Sequence, residues 1–146
     1  MKENEIRLRV SVVALFVEGD RVLLLHQMTL PEPECWDLPG GGLHPEEPLL
    51  EGLRREVEEE TGITAFQVEK LLTVTEKFYI NAKGEGRHGV NIIYRCKIIK
   101  YPERFVSSDP QEVGPKGIQW LSVGELQKED CSTRCWLALK AAGLIV

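Results

Sequence analysis

The sequence predicts a single α/β domain that spans residues 1–146. Three observations support this class: valine-rich segments that alternate like β-strands, an acidic segment with the period of an amphipathic helix, and a second helical segment near the end of the chain. No repeat or low-complexity tract interrupts these segments, and 146 residues suffice to bury one hydrophobic core.

The first part of the chain predicts two paired strands. Residues 7–17 alternate and are rich in valine, and the apolar residues on both faces of their second half indicate a central strand. Residues 18–20 are typical of a turn, so residues 21–27 would return as the second strand of a hairpin. The prolines in residues 31–34 then favour an extended loop.

An acidic helix is predicted over residues 46–61. Apolar residues recur there at intervals of three and four and form one stripe: Leu49, Leu50, Leu53 and Val57. Pro48 is tolerated in a first turn, and Gly62 suits the left-handed position that ends a helix.

Three carboxylates of this helix, those of Glu56, Glu59 and Glu60, share one face. Like charges at these spacings repel one another, and a bound cation would offset the repulsion. Because all three side chains offer oxygen ligands, the site favours magnesium, manganese or calcium over zinc. Glu58 points away from this face and is interpreted as a solvated charge. Gly52 leaves an open space that a close backbone or a bulky ligand would explain.

The second half of the chain predicts three strands, at residues 66–79, 90–99 and 117–122, and two helices, at residues 123–128 and 132–143. A turn at residues 82–89 brings three basic side chains into one loop: Lys83, Arg87 and His88. Such a loop could bind a terminal phosphate, although basic hairpin tips are most often only solvated. The last helix presents an apolar face to the sheet through Trp136, Leu137, Leu139 and Ala142.

Composition and charge exclude several classes of protein. The net charge of -5 argues against a protein that neutralises the phosphates of a large nucleic acid. No apolar run is long enough to cross a bilayer, and the charged residues directly after Met1 argue against a signal peptide, so we expect a cytoplasmic protein. The cysteines lack the spacing of zinc sites and are interpreted as reduced thiols: Cys35, Cys96, Cys131 and Cys135.

The segment from Gly41 to Ile63 resembles the signature of the Nudix family. That signature is Gly-x5-Glu-x7-Arg-Glu-U-x-Glu-Glu-x-Gly-U, where U is aliphatic, and the chain matches every fixed position: Gly41, Glu47, Arg55, Glu56, Val57, Glu59, Glu60, Gly62 and Ile63. The preceding run from Trp36 to Gly42 is similar to the approach to the signature in many Nudix proteins. Trp36 itself is interpreted as a core anchor rather than a platform for a base.

The resemblance implies a Nudix-like α/β/α sandwich with a mixed β-sheet between helices. It implies Mg2+ or Mn2+ on Glu56, Glu59, Glu60 and the backbone carbonyl of Gly40. Either Glu59 or Glu112 would act as the general base. Arg55 would pair with neighbouring glutamates, Glu47 among them, and so orient the loop and the helix, although a contact to phosphate is the alternative.

Four positions are candidates for binding substrate: Gly41, His26, Tyr79 and Arg87. Gly41 lets the backbone approach a diphosphate. The resemblance implies that the strand end at His26 and Gln27 approaches the cleft, so either residue could contact a ligand, but a polar strand end in solvent is equally consistent with the sequence. Tyr79 lies where Nudix enzymes that act on dinucleoside polyphosphates often carry a tyrosine, and cross-strand packing is its alternative role.

The function that the resemblance implies is hydrolysis of a nucleoside diphosphate linked to another moiety. Candidate substrates are nucleoside triphosphates, dinucleoside polyphosphates, ADP-ribose and nucleotide sugars, with a slight preference for a dinucleotide or a triphosphate. The alternative is a catalytically silent Nudix-fold sensor that binds a nucleotide, which would not need all three acidic ligands. An isomerase is a third and weaker hypothesis. The partner is a small nucleotide, and a homodimer is compatible with the sequence.

Overall fold

The structure is a computed structural model that describes residues 5–29 and 32–146. Residues 1–4 of the predicted charged start lie outside the described residues, and so does Pro31 of the predicted loop. The strands are β1 (Arg7–Glu18), β2 (Arg21–Gln27), β3 (Cys35–Asp37), β4 (Gly40–Gly42), β5 (Ala65–Ile80), β6 (Gly86–Lys100) and β7 (Ile118–Ser122). The helices are α1 (Leu49–Thr61) and α2 (Thr133–Ala141).

Strand β1 is the centre of a mixed sheet with the order β3-β2-β1-β6-β5. Its pairing with β6 is parallel, whereas β2 and β4 pair with it in the antiparallel direction. Strand β7 pairs with β2. The predicted hairpin and the central position of the first strand are both confirmed, as is the mixed sheet.

The alternation of apolar residues along β1 places one helix on each face of this sheet. Val12, Ala14 and Phe16 pack on a core cluster that includes Leu53 and Val57 of α1. The alternate residues Val13 and Leu15 point to the other face. They pack on a second cluster that includes Ala138 and Leu139 of α2. The predicted sandwich, with a sheet between helices, is therefore confirmed.

Helix α1 begins later than predicted, at Leu49 instead of residue 46. Pro48 is the N-cap and has an extended conformation, and residues that precede a proline avoid the helical region. Glu46 has a positive φ of 64°, so the chain turns at this point before the helix starts. At the other end, Gly62 has φ of 81° and caps the helix in the left-handed conformation, as predicted.

The predicted turn is confirmed at residues 82–84, but its extension to residue 89 as a basic loop is wrong. Strand β6 already begins at Gly86, because its backbone pairs with β1 in parallel and with β5 in the antiparallel direction. Arg87 and His88 consequently lie on opposite faces of a strand and not in a flexible loop. Each pairs with a glutamate, Arg87 with Glu85 at 3.0 Å and His88 with Glu76 at 2.8 Å.

Two helical predictions near the end of the chain need correction. The short helix predicted at residues 123–128 is replaced by separate single turns, Val123–Glu125 and Lys128–Asp130, with Leu126 extended between them. In α2 the buried positions are Cys135, Ala138 and Leu139, whereas Leu137 is exposed. The buried face follows intervals of three and four from Cys135, a residue that the predicted apolar face did not include.

All four cysteines are free and buried. The described residues contain no helix that is both long enough and apolar enough to cross a membrane.

Candidate active site

An open cleft of about 730 Å³ lies between the acidic side of α1 and one face of the sheet. Its floor comes from alternate residues of three neighbouring strands. They are Arg9 and Ser11 of β1, Arg87, Gly89 and Asn91 of β6, and Thr75, Lys77 and Tyr79 of β5. Its wall is formed by β4 and α1, so the cleft joins a floor with cationic side chains to a wall with acidic ones.

The three carboxylates predicted to hold metal, Glu56, Glu59 and Glu60, all line this cleft. Glu58 is exposed outside it, as predicted. Within residues 5–29 and 32–146, no three acidic, histidine or cysteine side chains are gathered tightly enough to form a ready cation site. In this structure Glu56 and Glu59 contact Arg55, and Glu60 contacts the backbone of Gly40.

Glu60 accepts a hydrogen bond from the backbone N–H of Gly40 at 2.6 Å. Burial raises the pKa of Glu60 to about 8, and the charges of Asp37 and Glu56 add to the effect, while the Gly40 hydrogen bond and the charge of Arg134 oppose it. A carboxylate in this setting is poorly compensated by the protein alone. A hard divalent cation fits the site, because all three side chains offer oxygen and the cation would offset the cost of burying the charge.

Glycine at position 41 lets the carboxylate of Glu56 lie directly against the backbone of β4. A Cβ at Gly41 would overlap the carboxylate of Glu56, so a side chain there would displace this carboxylate from its place beside β4. Gly40, with φ of 143°, packs in the same way against the backbone of β1. These two glycines bring the backbone to the acidic face, as predicted. The role of the Gly40 carbonyl as a ligand stays a prediction.

Arg55 connects the acidic helix to the loop that precedes it. Its guanidinium donates to both carboxylate oxygens of Glu47, at 2.7 and 2.9 Å, and to the carbonyl of Gly42 at 3.0 Å. It also donates to Glu56 at 2.8 Å and to Glu59 at 3.4 Å. Hydrogen bonds from Arg55 and from the N–H of His44 lower the pKa of Glu47 to about 2. The contacts are those of an orienting residue.

Gly52 does not leave the open space that the sequence suggested. A Cβ at this position would lie 2.6 Å from a methyl group of Leu43 and 2.9 Å from an oxygen of Glu47. The loop before α1 therefore folds back onto the helix at Gly52. The close approach is made by side chains of the chain itself and not by a ligand.

Glu112, the candidate base, lies in the single helical turn Pro110–Glu112 and lines the cleft. Partial burial raises its pKa, and the negative charges of Asp109, Glu56 and Glu59 raise it further. The influence of Glu56 and Glu59 means that this loop brings Glu112 close to the acidic face of α1. A carboxylate whose pKa is shifted towards neutrality is suited to accept a proton from water.

The structure separates the four candidate substrate residues. Gly41, Tyr79 and Arg87 line the cleft. His26 is not among the described residues that line it: its side chain is buried, pairs with Glu34, and accepts a hydrogen bond from the N–H of Lys116 at 3.1 Å. The placement predicted for His26 is wrong, because the pairing of β2 with β3 and β7 turns this ring inwards. Its neighbour Gln27 lines the cleft instead.

Sequence reasoning missed a buried ion pair at the edge of the cleft. Arg134 of α2 donates to Asp37 at 2.9 and 3.0 Å and to Asn91 at 3.0 Å, and Ser132 donates to Asp37 at 2.7 Å. Burial opposes ionisation of Asp37, but the ion pair with Arg134 outweighs it, so the pKa of Asp37 is lowered. An acid between two apolar residues, Trp36 and Leu38, indicates that Asp37 could be buried and would then need a partner. Nothing in the sequence identifies Arg134 of the last helix as that partner.

Comparison with known proteins identifies the family. The sequence model of the NUDIX domain matches residues 5–138, which is most of the chain. The chain belongs to the NUDIX family. Its fold and signature are those of a Nudix hydrolase domain.

Known relatives support this membership over different lengths. A MutT NUDIX hydrolase from Burkholderia pseudomallei superposes with a TM-score of 0.74 at 28% identity, covering 92% of this chain and 98% of that one. The 8-oxo-dGDP phosphatase NUDT18 of Homo sapiens is 40% identical over 67 residues, 45% of this chain and 20% of that protein. An RNA pyrophosphohydrolase from Coxiella burnetii is 39% identical over 62 residues, 42% of this chain and 26% of that protein. The aligned segments thus span about a quarter or less of these two curated relatives.

Proposed function

We propose that this NUDIX protein hydrolyses a nucleoside diphosphate linked to another moiety and that it uses Mg2+ or Mn2+. The observation that carries the proposal is the pairing of two surfaces in one cleft: the acidic face of α1 and the cationic floor of the sheet. A phosphoanhydride repels hydroxide through its own negative charge. A protein that cleaves it needs positive charge around the phosphates and a group that removes a proton from water.

Glu56, Glu59, Glu60 and the carbonyl of Gly40 would hold the cation. When bound, the cation supplies charge that screens the diphosphate, stabilises the leaving phosphate and makes a water molecule more acidic. Arg55 and Glu47 keep the loop and α1 in register and thereby position Glu56. Gly41 lines the cleft beside Glu56 and would lie next to the bound diphosphate.

Two glutamates are candidates for the base. Glu112 has a raised pKa and lies in a loop beside the acidic face, which favours it as the acceptor of the proton from water. Glu59 is the alternative, since it lines the cleft and its side chain is about half exposed. Tyr79 and Arg87 on the floor would contact the substrate. The four free thiols favour a reducing compartment such as the cytoplasm.

The test is a panel of nucleotides incubated with the protein and Mg2+, with products separated by anion-exchange chromatography. The panel contains nucleoside triphosphates, a dinucleoside polyphosphate, ADP-ribose and a nucleotide sugar. We expect phosphate-bearing products from at least one of them. The substitution Glu60→Gln keeps the side-chain size but removes a charged ligand. Loss of a residue that only supports a metal ligand typically lowers metal affinity or activity by about 10-fold to 100-fold. Because Glu60 would be a ligand itself, kcat/KM should fall by roughly 100-fold or more.

Glu58→Gln is the matched control, since it removes the same charge from the exposed side of the same helix and should leave kcat/KM unchanged. Full turnover by Glu60→Gln would show that the ligands are assigned wrongly. Binding of a nucleotide by the wild-type protein without any product would support the sensor instead.

A further inference from the structure

A small pocket with three arginines opens beside the cleft. It has a volume of about 300 Å³, and its described lining residues are Arg7, Leu8, Arg9, Val10, Gly42, Leu43 and Arg87, without a carboxylate among them. Arg9, Gly42 and Arg87 line both this pocket and the main cleft. We name it the arginine pocket. A group bound there would be continuous with a substrate in the cleft.

The pairing of β1 with β6 forces these positive charges together. In the parallel register, Arg7 lies opposite Arg87 and Arg9 lies opposite Gly89, so the three arginines share one face of the sheet. Like charges directly across a strand pair destabilise a sheet. In the part of the chain that the structure describes, only Arg87 of the three forms an ion pair, with Glu85 at 3.0 Å. Within the described residues, the ion pair with Glu85 engages one of the three guanidinium groups, and the remaining positive charge favours binding of an anion.

Gly42 places this positive charge next to the reacting groups. The guanidinium of Arg9 lies over Gly42, with a nitrogen 2.9 Å and the central carbon 3.1 Å from where a Cβ would stand. Gly42 is the last residue of β4, directly after the two glycines that lie against Glu60 and Glu56. Arg9 also lines the main cleft, and its charge opposes the rise in the pKa of Glu112.

We propose that the arginine pocket binds the terminal phosphate of a 5′-polyphosphate substrate. This rests on the proposed function and narrows it to substrates with a free terminal phosphate next to the anhydride that is cleaved. A guanidinium binds a phosphate through paired, charge-assisted hydrogen bonds. A nucleotide sugar would place a neutral group in this pocket and gain nothing from the three charges. A nucleoside triphosphate and an RNA with a 5′-triphosphate share the chemistry that the pocket recognises.

The test compares Arg7→Gln, at an arginine that lines the arginine pocket but is not among the described residues lining the main cleft, with the wild-type protein on three substrates: a nucleoside triphosphate, a short RNA with a 5′-triphosphate, and a nucleotide sugar. For the two triphosphates kcat/KM should fall about tenfold or more, mainly through KM, because a hydrogen bond to a charged group is lost. For the nucleotide sugar it should change less than about twofold, within the effect of a distant surface charge. Whichever of the two, the nucleoside triphosphate or the RNA, has the larger kcat/KM with the wild-type protein is the preferred substrate.

Arg104→Gln is the control, because it removes the same charge from an exposed arginine that is not among the described lining residues of either pocket. Equal losses on all three substrates, or no loss on the triphosphates, would overturn the proposal. Binding of a non-hydrolysable triphosphate analogue is measured in parallel by calorimetry and should weaken in Arg7→Gln. If the wild-type protein cleaves nothing but this weakening occurs, the pocket stands and the proposed hydrolysis fails.

Discussion

Asp37 and Arg134 form an ion pair that links the strand before the site to the last helix. Asp37 is buried and Arg134 is largely buried, and the hydrogen bonds from Ser132 and from the N–H of Leu38 complete the set around the carboxylate. Breaking such a pair leaves an uncompensated charge in a medium that solvates it poorly. The pair therefore fixes α2 against β3 and forms one end of the cleft.

We predict that Asp37→Asn lowers the free energy of unfolding by about 3 kcal/mol at pH 7, measured by urea denaturation. The difference should depend on pH. Because the folded-state pKa of Asp37 lies below its ordinary value of 3.8, its stabilisation is fully present above pH 4 and is lost as the pH falls through the folded-state pKa. The two proteins should thus converge in acid.

Asp20→Asn, in the exposed hairpin turn, is the control and should change the unfolding free energy by less than about 0.5 kcal/mol. If Asp37→Asn were as stable as the wild-type protein at pH 7, the ion pair would not hold the cleft together.

At the scale of elements, the loop before α1 and the first turns of that helix behave as one unit. Arg55 binds Glu47 and the Gly42 carbonyl, and the side chains of Leu43 and Glu47 pack against Gly52. The acidic face is therefore positioned by the loop as well as by the helix. This explains why a residue with poor helix propensity is accommodated in the middle of α1.

We predict that Gly52→Ala destabilises the protein and lowers its activity. Alanine would gain about 1 kcal/mol in helix propensity, but its Cβ would displace Leu43 and Glu47, and such overpacking costs about 1–3 kcal/mol. Thermal unfolding and kcat/KM measure the two effects. Gly124→Ala is the control, since the nearest atom to its Cβ would be a hydroxyl oxygen of Ser122 at 3.9 Å. A Gly52→Ala protein with raised stability and full activity would contradict this account.

Local patterns predicted the elements well, and long-range pairing explains most of the errors. The end of α1 at Gly62 and the central strand β1 each depend on local sequence, and both predictions are confirmed. Gly86 and Gly89 are typical of a turn, yet pairing with β1 and β5 holds them in a strand. His26 is similar: its inward orientation depends on contacts with segments distant in the sequence.

The candidate site shows the same division. The signature predicted that Glu56, Glu59 and Glu60 share a surface, because their spacing on a helix fixes it. It could not predict the contributions of Arg9 and Arg134, which depend on the order of strands and on the docking of the last helix.

At the scale of the whole molecule, β1 is shared by both hydrophobic clusters. Its alternate residues pack towards α1 on one face and towards α2 on the other. The two halves of the interior are therefore coupled through one buried strand, and neither helix can leave without exposing it.

We predict that the chain unfolds as one cooperative domain. Urea unfolding followed by tryptophan fluorescence should coincide with unfolding followed by far-UV circular dichroism. The tryptophans report from three elements: Trp36 in β3, Trp120 in β7 and Trp136 in α2. Separate transitions would indicate that α2 or the β7 region unfolds independently.

The central claim is that the acidic face of α1 and the neighbouring backbone bind divalent cations at the place where an anhydride is cleaved. The most direct test is a crystal grown with Mn2+ and a non-hydrolysable nucleoside triphosphate analogue. The anomalous scattering of manganese then locates the bound ions. The account predicts at least one manganese ion bound by oxygen atoms of Glu56, Glu59 and Glu60 and by the phosphates. Manganese found only elsewhere, with these carboxylates turned to solvent, would contradict it.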